Sequence, residues 1–447
     1  MIKNKLLIKN SFWLFFKLVI TSVIGIASTR ILLENLGVSD FGLYNVVGGI
    51  VIMMGFLNTV MCTTTFRFIA FEMGRKDEGA INNVFNISFL IHLGIGALVV
   101  LIAESVGIWY LDNHLNVDLD QISRAKLVFR FSTMAVVFNI ISIPFQGLLT
   151  ALEKFSVIIS IEISKSIVNL AFIILLIHAL GDKLEIYAML MSLLAFSSSF
   201  SYIVYSKIKF KLFTKWKVSK DKFKYIEMLS FSGWVMFGAA ASVGQRQGSI
   251  LLINSFFGTL LNASYAIATQ INSFVTMFAN NIGQAAIPQI TKSYSGGEDK
   301  RVLHLVTYIG KYSFFLMLLA AVPILLETEY LLKLWIFDLP RHTIIFTQLI
   351  ILNGLFDCLR SGTPAVIQST GKIKWFQIIM GSVQLMSIPI SYLLFKLDFS
   401  PFYILVVFIL CSVVNTIVGL ILLRKILHFN VKFLIKESYR CRCWAES

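Results

Sequence analysis

The chain has 447 residues, 57% of them hydrophobic and 14% charged, with a net charge of +15 and a mean hydropathy of +0.79. A soluble globular protein carries roughly 25% charged residues, and a fold of this length in water could not cover so much apolar surface, so a soluble domain is excluded. The positive excess falls in short loops between apolar runs, the positive-inside pattern of a membrane protein, which excludes a nucleic-acid-binding role.

A spanning helix needs about 20 mostly apolar residues. Twelve runs qualify: 11–33, 41–66, 84–110, 127–150, 156–180, 185–206, 229–253, 259–287, 304–326, 342–369, 375–395 and 401–423. All are predicted to be helices, because only helices satisfy every backbone polar group within one segment in lipid, and the runs lack the alternation of a β-barrel. The first run follows Met1-Ile2-Lys3-Asn4-Lys5, and its length, with Lys17 and Arg30 inside it, predicts a retained span rather than a cleaved signal. Placing the N-terminus inside puts Arg67, Arg75, Lys76, Lys154, the eight lysines between 207 and 224, Lys292, Lys300, Arg301, Lys372 and Lys374 on the cytoplasmic side. The opposite loop 111–123 holds Asp112, Asp118 and Asp120 and no Lys or Arg, so both termini are expected in the cytoplasm. Trp109 and Trp335 then mark outer boundaries, and Trp13 and Trp375 inner ones.

The basic segment near the middle separates six runs from six. The expected organisation is a six-helix bundle over 1–210, a basic cytoplasmic linker over 211–228, a second six-helix bundle over 229–426 and a cytoplasmic tail over 427–447. The halves repeat one another. Gly37 and Tyr44 fall on Gly258 and Tyr265, and Pro144, Thr150, Lys154 and Phe155 fall on Pro364, Thr370, Lys374 and Trp375. The segment 74–78 likewise resembles 296–300. Six helices per half bring both halves into the membrane in the same sense, which predicts an all-α membrane protein with a parallel repeat and a cavity between bundles that rock.

No catalytic or metal-binding set is visible. The six histidines are scattered without ligand spacing, the C-x-C of Cys441 and Cys443 has no further ligand nearby, and Cys62, Cys358 and Cys411 read as small buried hydrophobes. No Walker motif is present, and no cofactor or metal is expected. The informative residues are ionisable groups at membrane depth, which are costly there: Lys17, Arg30, Glu104, Arg130, Glu162, Lys165, Arg246, Lys311, Asp357 and Arg360. Glu162 with Lys165, and Asp357 with Arg360, are three apart and could neutralise each other on one helix face, as could Arg30 with Glu34. Lys17 can snorkel to the inner face, and Glu104 is expected at the outer interface. Arg130, Arg246 and Lys311 have no acid within one turn, and Arg246 sits between Gln245 and Gln247, so it is expected to line a hydrated cavity. A cationic cavity suits phosphate or pyrophosphate. The eighth run adds Asn262, Gln270, Asn272, Asn280, Asn281 and Gln284, either as polar lining or as interhelical glue.

Several segments resemble a known family. These are Thr29-Arg-Ile-Leu-Leu-Glu-Asn-Leu-Gly37 with Phe41-Gly42-Leu-Tyr44; Gly258 with Asn262-Ala263-Ser264-Tyr265; Ala285-Ala286-Ile-Pro288-Gln289-Ile; and Ile367-Gln368-Ser-Thr-Gly371-Lys-Ile-Lys374. In order and spacing they resemble the polysaccharide biosynthesis transporters of the multidrug/oligosaccharidyl-lipid/polysaccharide exporter superfamily. The resemblance implies two bundles in a V, with spans 1, 2, 7 and 8 around the cavity. It also implies flipping of an undecaprenyl-diphosphate-linked oligosaccharide across the bacterial cytoplasmic membrane, upstream of a polysaccharide polymerase. Arg30 and Arg246 would hold the pyrophosphate, with Arg67, Arg130 and Lys311 as further cations. A cation-coupled drug antiporter is the rival, with Asp357 as its H⁺ or Na⁺ site, although the first span lacks an acid before Glu34. A membrane-embedded transferase is disfavoured by the short outer loops.

Overall fold

The computed structural model describes residues 2–52, 55–113, 119–335 and 342–427. The tail with Cys441 and Cys443, and His114, Asp118 and Arg341 of the loops, lie outside the described residues, as does the side chain of Trp335. The described residues are helices joined by short turns, and they divide into two compact units, Met1–Leu229 and Ser230–Ser447.

The first unit holds α1 (Ile2–Ile52), α2 (Gly55–Arg75), α3 (Glu78–Ile102), α4 (Ile108–Asn113), α5 (Leu119–Ala151), α6 (Phe155–Leu175), α7 (Lys183–Lys209) and α8 (Lys211–Thr214). Next, α9 (Lys222–Ser295) runs into the second unit, which continues with α10 (Asp299–Leu326), α11 (Thr328–Trp335), α12 (Thr343–Leu359), α13 (Thr363–Thr370), α14 (Lys374–Lys396) and α15 (Tyr403–Leu427).

The repeat read from the sequence is present in the backbone. Gly37 breaks α1 with φ 75° and ψ 170°, and Gly258 breaks α9 with φ 80° and ψ −177°. That conformation is essentially open to glycine alone. At the next turn, Lys76 and Gly297 both take positive φ, and Asp77 and Glu298 stand at the N-termini of α3 and α10. The Asp77 carboxylate accepts from the Ala80 N–H at 2.9 Å, so the cap fixes where α3 starts.

Among the described residues nine helices are long and apolar enough to cross a membrane, and α12 with α13, bent by 45°, makes a tenth. The expected span 259–287 is helical but is not among these ten, because the second limb of α9 carries a row of amides. The expected span 41–66 crosses residues 53 and 54, which lie outside the described residues. Elsewhere the outer faces are apolar and bare: Leu319 and Leu326 of α10 are 73% and 76% exposed. Such faces are stable when lipid, not water, surrounds them.

The segment expected to be a linker is tied to the first unit. The Asn82 amide donates to the carbonyls of Leu212, Phe213 and Lys215 at 3.2, 2.9 and 2.9 Å. Asn86 donates to Lys215 at 3.0 Å and accepts from the Lys217 N–H at 3.1 Å. Lys224 bridges the buried Glu72 and Glu227 at 3.4 and 3.1 Å. The second unit closes around Met317, Phe346, Ile351 and Ile404, and the buried Ser313 hydroxyl donates to Ala279 O at 3.0 Å, tying α10 to α9.

Candidate functional site in the second unit

The two halves differ between α12 and α13. In the first unit α5 carries Pro144 inside an uninterrupted helix. Its counterpart in the second unit is split into α12 and α13 by Arg360, Ser361 and Gly362. Pro364 stands in the first turn of α13, where a missing N–H is tolerated. A Cβ on Gly362 would lie 3.0 Å from both Cα and O of Val306, so glycine lets the break sit against α10.

Two cavities flank the break. One, of about 520 Å³, lies between the second limb of α9 and the α12–α13 turn. Asn272, Thr276, Asn280, Gln284, Asp357, Arg360 and Ser361 supply its polar lining. The Asn272 Oδ1 acceptor is buried without a hydrogen-bond partner, and it lies where a Cβ on Gly354 would come within 2.9 Å. The other cavity, of about 370 Å³, lies between α10, the break and α15. It is lined by Lys311, Arg360, Thr307, Thr363 and Thr416, with an apolar wall that includes Phe314, Phe315, Leu420 and Leu423. Both volumes are in the range of small-molecule sites.

Arg360 forms part of both walls. Its Nε and Nη2 donate to Asp357 Oδ1 at 3.1 and 2.8 Å. A guanidinium has five N–H donors, so this contact leaves several for another acceptor. Lys311, Asp357 and Arg360 together carry one net positive charge, which suits an anionic group flanked by hydroxyl-rich chemistry.

The structure brings two of the six sequence candidates, Lys311 and Asp357, to this break, and adds Arg360, which sequence reasoning treated as a partner neutralised by Asp357. The signal was present in Gly362-Thr363-Pro364, a helix-breaking tripeptide inside an apolar run. Arg246 is also in the second unit but lines neither cavity. Gln245 donates to Ser387 Oγ at 3.0 Å and Ser242 to Gln384 Oε1 at 3.0 Å, so that face of α9 packs on α14. Arg246 and Gln247 are exposed, and among the described residues Arg246 makes no ion pair or hydrogen bond.

The remaining candidates belong to the first unit. Arg30 is exposed and pairs with Glu34 at 3.1 Å. Arg67 is buried, its guanidinium 4.4 Å from the Phe68 ring centre and 4.9 Å from that of Phe71. Arg130, which has no acid within one turn, grips the remote Glu104, 26 residues earlier in the chain, through two hydrogen bonds of 3.0 and 2.9 Å. Glu104 sits in a π-turn, Ala103–Gly107, where Gly107 closes onto the Phe129 ring. Glu162 pairs with Lys17 of α1, not with Lys165, which instead lines a serine-rich notch between α6 and α7. Residues three apart can pair, but a partner on a packed helix competes and here it wins.

The sequence profile of the polysaccharide biosynthesis protein family matches residues 7–294. This chain belongs to that family. A protein of Shigella flexneri described as an O-antigen transporter is 22% identical over 379 residues, covering 82% of this chain and 86% of that protein. Among solved structures, a MATE protein in the bent conformation superposes with a TM-score of 0.80 at 15% identity, covering 98% of this chain and 97% of that one. A transporter of the MOP superfamily from Pyrococcus furiosus gives 0.76 at 15% identity, covering 95% and 96%. At these identities the structural likeness establishes the fold alone: an all-α, multi-pass membrane fold of the MATE type. The family match covers the α9 lining of the larger cavity and ends before Lys311, Asp357 and Arg360.

Proposed function

We propose that this chain is a flippase that moves an undecaprenyl-diphosphate-linked oligosaccharide across the bacterial cytoplasmic membrane by alternating access, for surface polysaccharide assembly. The observation that carries the proposal is the amide-lined cavity of about 520 Å³ with Arg360 in its wall, in a chain of the polysaccharide biosynthesis family. Amides and hydroxyls can exchange hydrogen bonds with sugar hydroxyls, and a guanidinium fork matches phosphate oxygens. Arg246, Arg30, Arg67 and Arg130 are the further cations that the head group would pass. Both termini lie in the cytoplasm, no cofactor or enzymatic step is involved, and the flipped glycan passes to polymerase machinery.

A second role, cation-coupled drug antiport, is favoured by one observation: Asp357 lines the polar cavity, where it could take H⁺ or Na⁺. The test is complementation of a deletion strain with Arg360→Ala and Arg246→Ala, with membrane levels of each variant measured. A charge-assisted hydrogen bond contributes about 1.5–3 kcal/mol, so each variant should lower export about 10- to 150-fold, with precursor accumulating in the inner leaflet. Unchanged surface glycan in the deletion strain itself refutes the flippase, and drug hypersensitivity of that strain would favour antiport.

A further inference from the structure

The cavity of about 370 Å³ has a composition unlike that of its neighbour. Along α10, residues 306, 307, 310, 311 and 314 recur at helical spacing and form one face toward it. Residues 416, 420 and 423 of α15 form the opposite face. The two cations, Lys311 and Arg360, stand in a wall otherwise made largely of aromatic and aliphatic side chains. Thr307 and Thr416 already donate to the carbonyls of Leu303 and Ser412 at 2.9 and 2.8 Å, so those two hydroxyls are committed. The positive charges that can hold an anion here are the ammonium and the guanidinium. Across Arg360 lies the amide-lined cavity.

We propose that this cavity is a lipid-side subsite that takes the phosphate end of an isoprenoid lipid. The phosphate contacts Lys311 and Arg360, the first isoprene units rest on Phe314, Phe315 and Leu420, and the sugar lies beyond Arg360. This rests on the flippase function proposed above. Bilayer tails are as apolar as leucine, so the apolar wall yields little affinity relative to the membrane. It lets the chain enter without penalty, and the cations provide the selectivity. Asp357 is the counter-ion that holds Arg360 in place while the subsite is empty. Gly310 keeps the cavity open: a Cβ there meets only the Leu359 carbonyl, at 3.5 Å, so a longer side chain fills the space without a backbone clash.

The test uses the full chain in phosphatidylcholine nanodiscs and undecaprenyl monophosphate, which has no sugar. Saturable binding is expected, with Lys311→Gln and Gly310→Leu each weakening it by at least about tenfold. Lys311→Arg should restore it, and Lys372→Gln, which lines neither cavity, should bind as the parent does. Undecaprenol, without phosphate, should not compete. The proposal is overturned if Lys311→Gln and Gly310→Leu both bind normally in folded protein. It is also overturned if phosphatidylglycerol competes as well as the isoprenoid phosphate, which would make the cavity a phospholipid head-group site. A chain that binds undecaprenyl phosphate through Lys311 but fails to restore surface glycan would remove the flippase function and keep the subsite.

Discussion

Replacing Gly258 with alanine should destabilise the second unit although no atom stands in the way. A Cβ at Gly258 would meet nothing within 4 Å, but its φ of 80° and ψ of −177° put an alanine in a region that costs ~1–3 kcal/mol. Gly94 is the matched control. A Cβ there would also meet nothing within 4 Å, but Gly94 lies inside α3 with helical backbone, where alanine is favoured by ~0.8–1 kcal/mol. The two substitutions add the same methyl group, so the difference of about 2–4 kcal/mol between them isolates the backbone. At roughly 2–4 °C per kcal/mol for a unit of this size, Gly258→Ala should melt ~2–12 °C below the parent and Gly94→Ala ~2–4 °C above it. Heating in detergent followed by fluorescence-detected size exclusion measures both. If Gly258→Ala melts at or above the parent temperature, the break at this glycine is not a required feature of the fold. Gly37→Ala should repeat the loss in the first unit, because its φ and ψ are nearly the same.

Asn82→Ala removes the amide that holds the Leu212, Phe213 and Lys215 carbonyls and should cost ~1–3 kcal/mol of local stability, read as faster tryptic cleavage between 211 and 224. Cleavage at the parent rate would show that the segment is held by other contacts. Burial works against the Asp182 carboxylate, but hydrogen bonds from Arg124 and from the Glu185 and Leu184 N–H groups outweigh it and hold its pKa below the ordinary value of 3.8. A depressed carboxyl pKa stabilises the fold above that ordinary value, and the contribution is lost as pH falls through the lower folded one. Melting temperature should therefore be insensitive to this group from pH 7 to 5 and fall below about pH 4, and Asp182→Asn should remove that acid-linked part. An Asp182→Asn chain with the same acid profile as the parent would contradict this.

Much of the architecture could be read along the chain. Membrane residence follows from composition, because lipid tolerates the bare apolar faces that water would not. The glycine pair at 37 and 258 follows from local backbone preference and the start of α3 after Asp77 from capping, which depend only on nearby residues. The site was less legible. Sequence spacing suggested Glu162 with Lys165 and left Arg130 alone, yet Glu162 meets Lys17 and Arg130 meets Glu104. Those pairings depend on which helix faces pack together, and sequence separation carries no information about that.

Arg360 illustrates the same division. Its sequence neighbours give it Asp357 three residues away, and that contact exists. What surrounds the pair depends on α9, α10 and α15, which lie far from it in sequence. The sequence by itself determined that this chain is helical, membrane-embedded and internally repeated, because these properties are sums of short-range preferences and of transfer from water to lipid. Only the tertiary structure decided that the repeat breaks at residues 360–362 and that one guanidinium separates an amide-lined cavity from an apolar one. A cavity wall is assembled from remote segments, and its chemistry exists only once they pack.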